Sequence, residues 1–253
     1  MLTNQDLAAC ALAPPREAPA DGGAALAALL AALERALRST ADPRCARLLG
    51  PVVPGATMTR GARVPGTSLE LDPVAAAFAI GVAAGWSAEP GAADPSPLPA
   101  EAACVAGLLA LYDHRSRRAH DLAEPAPRVE DLLDALRSAY RIQRMLELEP
   151  GYQAFAGGMP VAVRAATAAV AVRILGGRGE QIAAACTEAF RDGGAAPRHP
   201  RAAVAQPVCV SRSLGDANSR GLRLAFLQLA ADDRPPSTAI AQPAAASGGR
   251  AAA

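Results

Sequence analysis

The stretch 63–86 constrains the fold of this chain more than any other part of the sequence. The Pro-Gly pair at 65–66 predicts a tight turn. Asp72 followed by Pro73 predicts a helix start, because aspartate caps the first turn and proline needs no N–H there. Residues 74–86 then contain no polar side chain except the Trp86 indole, and a helix that is apolar on all sides is buried. Since about fourteen residues are too few to span a bilayer, we expect the central helix of a soluble helical domain.

Composition supports an all-α fold. The chain has 253 residues, of which 51% are hydrophobic but only 3% aromatic, so the core must be built from alanine, leucine and valine. Alanine is the strongest helix former, whereas β-branched and aromatic runs typical of strands are scarce. The net charge of +1 indicates neither a nucleic-acid nor a membrane partner. All 25 basic residues are arginine, so no lysine is present to act as a base or Schiff-base nucleophile.

The five cysteines are widely spaced and odd in number, which argues against a disulfide framework and against a zinc site. Scattered cysteines of this kind are typical of a reducing compartment, and the first residues show no charged and apolar leader pattern. We therefore expect a cytoplasmic protein without a metal or cofactor. The cysteines are Cys10, Cys45, Cys104, Cys186 and Cys209.

Segments rich in glycine and proline divide the chain into three parts. Residues 1–23 are predicted to be a flexible lead, residues 24–231 a helical domain, and the Pro/Ala/Ser/Gly-rich residues 232–253 a disordered tail. Apolar residues recur at helical spacing within the domain. The predicted helices span residues 24–38, 42–49, 74–86, 100–112, 129–149, 160–175, 180–191 and 216–230.

The segments between these helices are predicted to be loops. Residues 50–67 contain several glycines and prolines and predict an extended connector. Residues 113–127 are rich in charge, include His114 and His120, and predict a solvated loop. Asp216 is predicted to be the N-cap of the last helix.

Three ordered blocks of sequence resemble the N-terminal domain of the MmgE/PrpD family. The first spans residues 50–81 and contains the Pro-Gly turn and the Leu-Asp-Pro helix start. The second comprises residues 129–143 and 165–182. The third, S-L-G-D-A-N-S-R-G-L-R-L-A at residues 213–225, is similar to the family's G-D-A-x-S-R-A-V-R-L-A.

The resemblance implies a large helical domain, a smaller α+β lid and an active site between them. The family's reactions act on tricarboxylates and related acids by dehydration, decarboxylation or epimerisation, and need no metal cluster. They require proton abstraction beside a carboxylate and cationic groups that hold the acid. We expect this chain to lack the lid, and to form a homodimer or to associate with a related lid-bearing subunit.

The positions that the resemblance assigns to proton transfer carry other residues here. Two acidic positions become Ala88 and Gly91, and a histidine position becomes Asp94. A second histidine position falls on Met159, and the family's lysine position falls on Val210. Neither methionine nor valine transfers a proton.

Two functions remain open from the sequence. The first is a diverged family member without lyase activity, acting as a pseudoenzyme or a helical interaction module. The second is an active lyase or isomerase acting on a small di- or tricarboxylic acid with a rebuilt site. Asp94 and His199 are then the catalytic candidates, while Arg198 and Arg212 are the candidates for binding the acid, because arginine offers a bidentate fork.

Overall fold

The computed structural model describes residues 2–14, 21–86, 98–123, 125–149, 158–191 and 210–233. Within those residues the regular structure is helical apart from one small antiparallel hairpin, which confirms the predicted all-α class. The hairpin pairs β1 (Ala62–Arg63) with β2 (Glu70–Leu71). The helices are α1 Asn4–Leu12, α2 Asp21–Ser39, α3 Pro43–Ala46, α4 Pro73–Gly85, α5 Val105–Leu122, α6 Val129–Leu148, α7 Gly158–Ile174, α8 Gly179–Arg191 and α9 Val210–Asp233, with a 3₁₀ turn at Ala100–Ala102.

Helix α4 forms as its sequence predicts. The Asp72 carboxylate accepts hydrogen bonds from the N–H groups of Val74 and Ala75 at 2.9 and 3.1 Å, which satisfies two donors of the first turn. Pro73 occupies the first helical position. Most of the helix is buried in the core, with α2, α5 and α9 packed around it.

Helices α4 and α9 cross at unusually short range because glycines meet at the contact. A Cβ atom added to Gly81 would lie 2.7 Å from the Cα atom of Gly215, and one added to Gly215 would lie 2.8 Å from the carbonyl oxygen of Phe78. Both distances are shorter than a non-bonded carbon contact allows. Only glycine therefore permits this crossing without displacement of one helix.

A buried amide on α9 joins three helices. The Asn218 side-chain oxygen accepts a hydrogen bond from the Gly107 N–H at 2.9 Å, which is one of the unpaired donors in the first turn of α5. Its amide nitrogen donates to the carbonyl of Ala103 at 2.8 Å. The Thr167 hydroxyl of α7 lies 3.5 Å from the same oxygen. Asn218 thus acts as the cap of α5 from a distant part of the chain.

The N-terminal segment differs from its prediction as a flexible lead. Helix α1 begins with a capping box in which the Thr3 hydroxyl accepts from the Asp6 N–H and the Asp6 carboxylate accepts from the Thr3 N–H. Leu7, Ala8 and Ala11 are buried, mainly against α8. The prediction failed because the flexible composition of residues 14–23 was extended to the whole terminus.

The predicted charged loop after residue 112 is wrong, since α5 continues to Leu122. Three of its charged residues, Asp113, Arg117 and Asp121, pair with the hairpin segment. The Asp113 carboxylate accepts from the Arg63 N–H at 2.8 Å and pairs with its guanidinium. Arg117 pairs with Glu70 at 2.6 Å, and one turn further the helix pairs again with the hairpin segment. Residues spaced by four on a helix share one face, so this charge pattern is a docking face.

The last helix also begins earlier than predicted. Helix α9 starts at Val210, so Asp216 lies in its interior and is not its N-cap. The predicted tail at 232–253 lies outside the described residues except for the end of α9. None of the described helices combines the length and apolarity needed to cross a membrane.

Candidate functional site

The structure places two of the sequence-predicted site positions at the start of α7 and α9. Met159 is the second residue of α7 and is 45% exposed, and Val210 is the first residue of α9. Arg212 is exposed on the first turn of α9. The remaining candidates, Asp94, Arg198 and His199, lie outside the described residues, so their roles stay predictions.

An open cleft of about 580 Å³ lies beside these positions, between the starts of α4 and α7 and the outer face of α9. We call it the arginine cleft, because Arg164 of α7 and Arg220 and Arg223 of α9 line it. Neither Met159 nor Arg212 is among its lining residues. The rest of the lining is Val74, Pro160, Ser213, Asp216, Ala217 and Ser219.

The polar residues of the α9 wall are spaced so that they share one helical face. Ser213, Asp216, Arg220 and Arg223 follow one another at intervals of three, four and three residues, which places them in one stripe along the helix. The opposite stripe of α9 carries the buried Gly215 and Leu222 that pack into the core. The arginines are therefore held on a rigid helix and not on a loop.

The position of Arg164 is unusual for its helix. It is half-buried in α7, between the buried runs 161–163 and 165–172, which consist of alanine and valine except for Thr167. Its backbone lies close to α9, since a Cβ atom on Gly221 would come within 2.6 Å of the Arg164 carbonyl oxygen. The two walls of the cleft thus meet at a tight helix crossing, which fixes the distance between their arginines.

Asp216 is the carboxylate among the cleft residues. Burial raises the pKa of its carboxyl above the ordinary value, and the Arg212 guanidinium acts in the opposite direction. Three guanidinium groups and one carboxylate leave the described lining with an excess of positive charge.

Sequence reasoning did not assign Arg164, Arg220 or Arg223 to the site. A signal for Arg164 was present, because it is the one charged residue in the first fifteen positions of an Ala/Val-rich helix. The stripe on α9 was not recognised because the predicted helix began at Asp216 and therefore excluded Ser213. Within the described residues there is no group of three His, Cys, Asp or Glu side chains that could hold a metal ion.

Helical packing around a central apolar helix, with an arginine-lined cleft beside it, defines an all-α protein with a small polar site. The model of the MmgE/PrpD N-terminal domain matches residues 15–244. The chain belongs to the MmgE/PrpD family, as its three sequence blocks indicated.

Relatives with established names support the same membership. The chain is 33% identical to 2-methylcitrate dehydratase of Salmonella typhimurium over 85% of its own length and 44% of the relative's. It is 35% identical to 2-methylcitrate dehydratase of Escherichia coli K12 over 79% of its length and 41% of the relative's. For the enzyme of Cupriavidus necator the identity is 35%, over 81% and 42%. The chain thus spans about two fifths of the length of these relatives.

Proposed function

We propose that this chain is a helical interaction module of the MmgE/PrpD type that does not perform the family's lyase chemistry by itself. Its partner in this proposal is a second copy of the chain. The main support for this partner is a row of leucine side chains along one face of α2. The absence of lysine from the sequence and the presence of Met159 and Val210 at positions of proton transfer support the first part.

The leucine face of α2 consists of Leu26, Leu30, Leu33 and Leu37. Leu26, Leu30 and Leu37 are 42%, 56% and 53% exposed, and Leu33 is half-buried. The other side of the helix, with Ala25, Ala28, Leu29, Ala32 and Ala36, is buried in the core. The exposed leucines therefore do not belong to the domain's own core, and contiguous apolar surface of this kind marks an interaction site.

The spacing of the four leucines favours a second copy as the partner. Intervals of four, three and four residues are those of a coiled-coil seam. The intervals are also symmetric about the midpoint between Leu30 and Leu33, so an antiparallel pair of α2 helices can place Leu26 opposite Leu37 and Leu30 opposite Leu33. A face that is complementary to itself in this way is what a two-fold interface requires.

Charges on α2 are compatible with this pairing. Glu34 at the border of the face is held by Arg38, one turn further along, at 2.6 Å. In the antiparallel arrangement the neutral residue Ala27 of one copy approaches Glu34 of the other. No like charges are brought together across the seam by these residues, so the apolar contact is not opposed.

The oligomeric state tests this part of the proposal. We expect a dimer at micromolar concentration by light scattering and sedimentation, and at least about tenfold weaker association for Leu30→Gln. Val129→Gln is the matched control, because Val129 is 61% exposed at the start of α6 and outside the leucine face. A monomeric wild-type protein, or equal dissociation in both variants while both remain helical by circular dichroism, would contradict the proposal.

The catalytic part is tested with purified protein against 2-methylcitrate, citrate and cis-aconitate. We expect no turnover above the buffer control, because base catalysis alone is usually worth about a hundred- to ten-thousand-fold. Turnover that disappears in Asp94→Ala or His199→Ala would establish the alternative, an active lyase with a rebuilt site. Turnover that survives both changes would point to a contaminating enzyme, which repurification of the wild type to constant specific activity tests.

A further inference from the structure

We propose that a second cavity, formed where α5, the start of α6 and the end of α7 meet, binds a free α-amino acid in its zwitterionic form. We call it the Tyr112 cavity, after one of its lining residues. It is separate from the arginine cleft, since α7 rises about 20 Å from Pro160 in the cleft to Arg173 in this cavity. The proposal goes beyond an interaction module, because it gives the domain a small-molecule ligand of its own.

The distribution of charge in the Tyr112 cavity is the first argument. Asp131 and Asp134 line it from α6, whereas Arg115 and Arg173 line it from α5 and α7. No ion pair joins either of these arginines to either of these aspartates, all four of which the structure describes. The lining is therefore neutral overall, but its positive and negative groups stay apart on different helices. An amino acid carries an ammonium and a carboxylate group and matches both kinds of group at once.

The two carboxylates are held in place by contacts on their own helix. Asp131 accepts a hydrogen bond from the Arg128 N–H at 2.8 Å, as part of the capping box of α6. Asp134 pairs with Arg137, one turn further along, through one of its oxygens. A carboxylate has two oxygens and about four acceptor positions, so each of these groups can accept further hydrogen bonds. The ammonium group of an amino acid offers three donors to these carboxylates.

The two guanidinium groups differ in their contacts. Arg115 donates to the Ile174 carbonyl, one of the last acceptors of α7, which fixes its direction. Arg173 is half-buried, and its guanidinium makes no hydrogen bond or ion pair with the residues that the structure describes. A half-buried charge without a partner costs free energy, which a bound carboxylate would recover through two parallel hydrogen bonds. Arg173 is therefore the group that we expect to hold the carboxylate of the ligand.

The remaining lining suits an amino acid with an apolar side chain. The volume of about 410 Å³ lies within the range of about 300–1,000 Å³ typical of small-molecule sites. Pro125, Pro127, Ile174 and the ring of Tyr112 offer apolar contact. The Tyr112 hydroxyl donates to the Asp131 carbonyl at 2.9 Å. Burial raises the pKa of this phenol to about 12, and all four charges of the cavity act on it with smaller, opposing effects, so they surround a neutral ring.

Binding is tested by calorimetry on the full chain with three compounds that share one carbon skeleton. L-Leucine carries both charges, 4-methylpentanoate lacks the ammonium group, and 3-methylbutylamine lacks the carboxylate. We expect L-leucine to bind with a Kd below about 10 mM, and each singly charged compound to bind at least about fivefold more weakly. L-Leucine should also raise the melting temperature, since it binds only the folded state. Added salt should weaken its binding, because the contacts are ionic.

Variants of each charged side make the test specific to the cavity. Arg173→Gln and Asp131→Asn should each weaken the binding of L-leucine at least about tenfold. The asparagine retains a side-chain oxygen that can accept the Arg128 N–H, so the start of α6 is preserved. Glu130→Gln is the matched control for the carboxylate, because Glu130 is adjacent in sequence but does not line the cavity. Arg144→Gln, at an exposed position of α6, is the control for the guanidinium. Both controls should bind as the wild type does.

Three results would overturn the proposal. The first is the lack of L-leucine binding up to about 10 mM at low salt. The second is equal binding of L-leucine and a singly charged compound, because only one end of the ligand would then be recognised. The third is unchanged binding in Arg173→Gln and Asp131→Asn while both retain the wild-type circular dichroism spectrum. If a variant loses its helical signal, the comparison of the three compounds on the wild type decides. None of these results bears on the oligomeric state, so this proposal and the leucine-face proposal fail independently.

Discussion

The crossing of α4 and α9 and the docking of the hairpin on α5 hold distant parts of the chain together by different means. At the crossing, Gly81 meets Gly215 without intervening side chains, and the buried amide of Asn218 satisfies backbone groups of α5. At the hairpin, the contacts are ion pairs, of which Arg63 with Asp113 has a guanidinium that is 64% exposed. The helix crossing excludes water, whereas the ion pairs of the hairpin are exposed to it.

This difference predicts which changes the fold tolerates. Dense interiors do not accommodate an added or missing group without loss of packing or hydrogen bonding. Exposed ion pairs contribute little, because water and salt screen them. We therefore expect the stability of the domain to depend strongly on the crossing and weakly on the hairpin.

The largest effect is expected for Asn218→Ala. The change leaves the Gly107 N–H and the Ala103 carbonyl buried without their partner, which should lower the free energy of unfolding by about 2–4 kcal/mol. Denaturant titration followed by circular dichroism measures this. Asn4→Ala is the control, since Asn4 donates to Thr187 at a half-buried site and should cost less than about 1 kcal/mol. Equal losses in the two variants would refute the capping role of Asn218.

The next effect is expected for Gly81→Ala. The added methyl group would lie 2.7 Å from the Gly215 Cα, so α4 and α9 must separate, at a cost of about 1–3 kcal/mol. Gly23→Ala in α2 is the matched control because no atom lies within 4 Å of its added Cβ. That control should be neutral or stabilising by about 0.5–1 kcal/mol. A Gly81→Ala variant as stable as the wild type would show that the crossing is not tight.

A smaller effect is expected at the hairpin. A double-mutant cycle with Arg63→Gln and Asp113→Asn should give a coupling free energy of about 0.5–1 kcal/mol. The coupling should shrink when the salt concentration is raised, as screening predicts for a partly exposed pair. A coupling above about 2 kcal/mol that does not respond to salt would show that this ion pair is shielded from water, as the contact between α4 and α9 is.

The smallest effect concerns pH and His114 of α5. Burial and the neighbouring Arg118 charge lower the pKa of this imidazole below its ordinary value of 6.5, although a hydrogen bond with the Arg60 backbone opposes the shift. Its Nδ1 atom is buried without a hydrogen-bond partner. Other groups facing it are Asp72 and Asp113. The unfolded chain therefore takes up the proton first, so stability should fall as the pH drops below about 6.5.

Substitution of His114 by Gln should remove this part of the pH dependence. Denaturant midpoints measured from pH 7.5 down to about pH 5 give the slope in each protein. An unchanged slope in the variant would assign the effect to other groups.

The sequence predicted elements whose signals are local. Helix α4 was located by Asp72 and Pro73, and α6 by its apolar periodicity, each to within a residue or two of the structure. The all-α class followed from composition. Helix α1 was missed although its capping box is a local signal, because the neighbouring proline-rich segment dominated the interpretation.

What the sequence did not reveal depends on distant partners. The charged part of α5 is helical because Asp113 and Arg117 meet a hairpin some fifty residues earlier, and no local pattern contains that contact. The arginine cleft likewise joins Arg164 to residues of α9 that only the fold brings near. The charge of residues 113–127 was recognised without its partner, and the arginines of the cleft were missed.

The meeting of Gly81 with Gly215 has a consequence for synthesis of the protein. These residues are about 130 positions apart, so the surface of α4 that receives α9 stays uncovered until most of the chain has left the ribosome. At the usual rate of about 5–20 residues per second, that interval is on the order of ten seconds. The most apolar helix of the described chain lacks its main partner during this time, so we expect nascent chains of this protein to bind chaperones that recognise apolar segments.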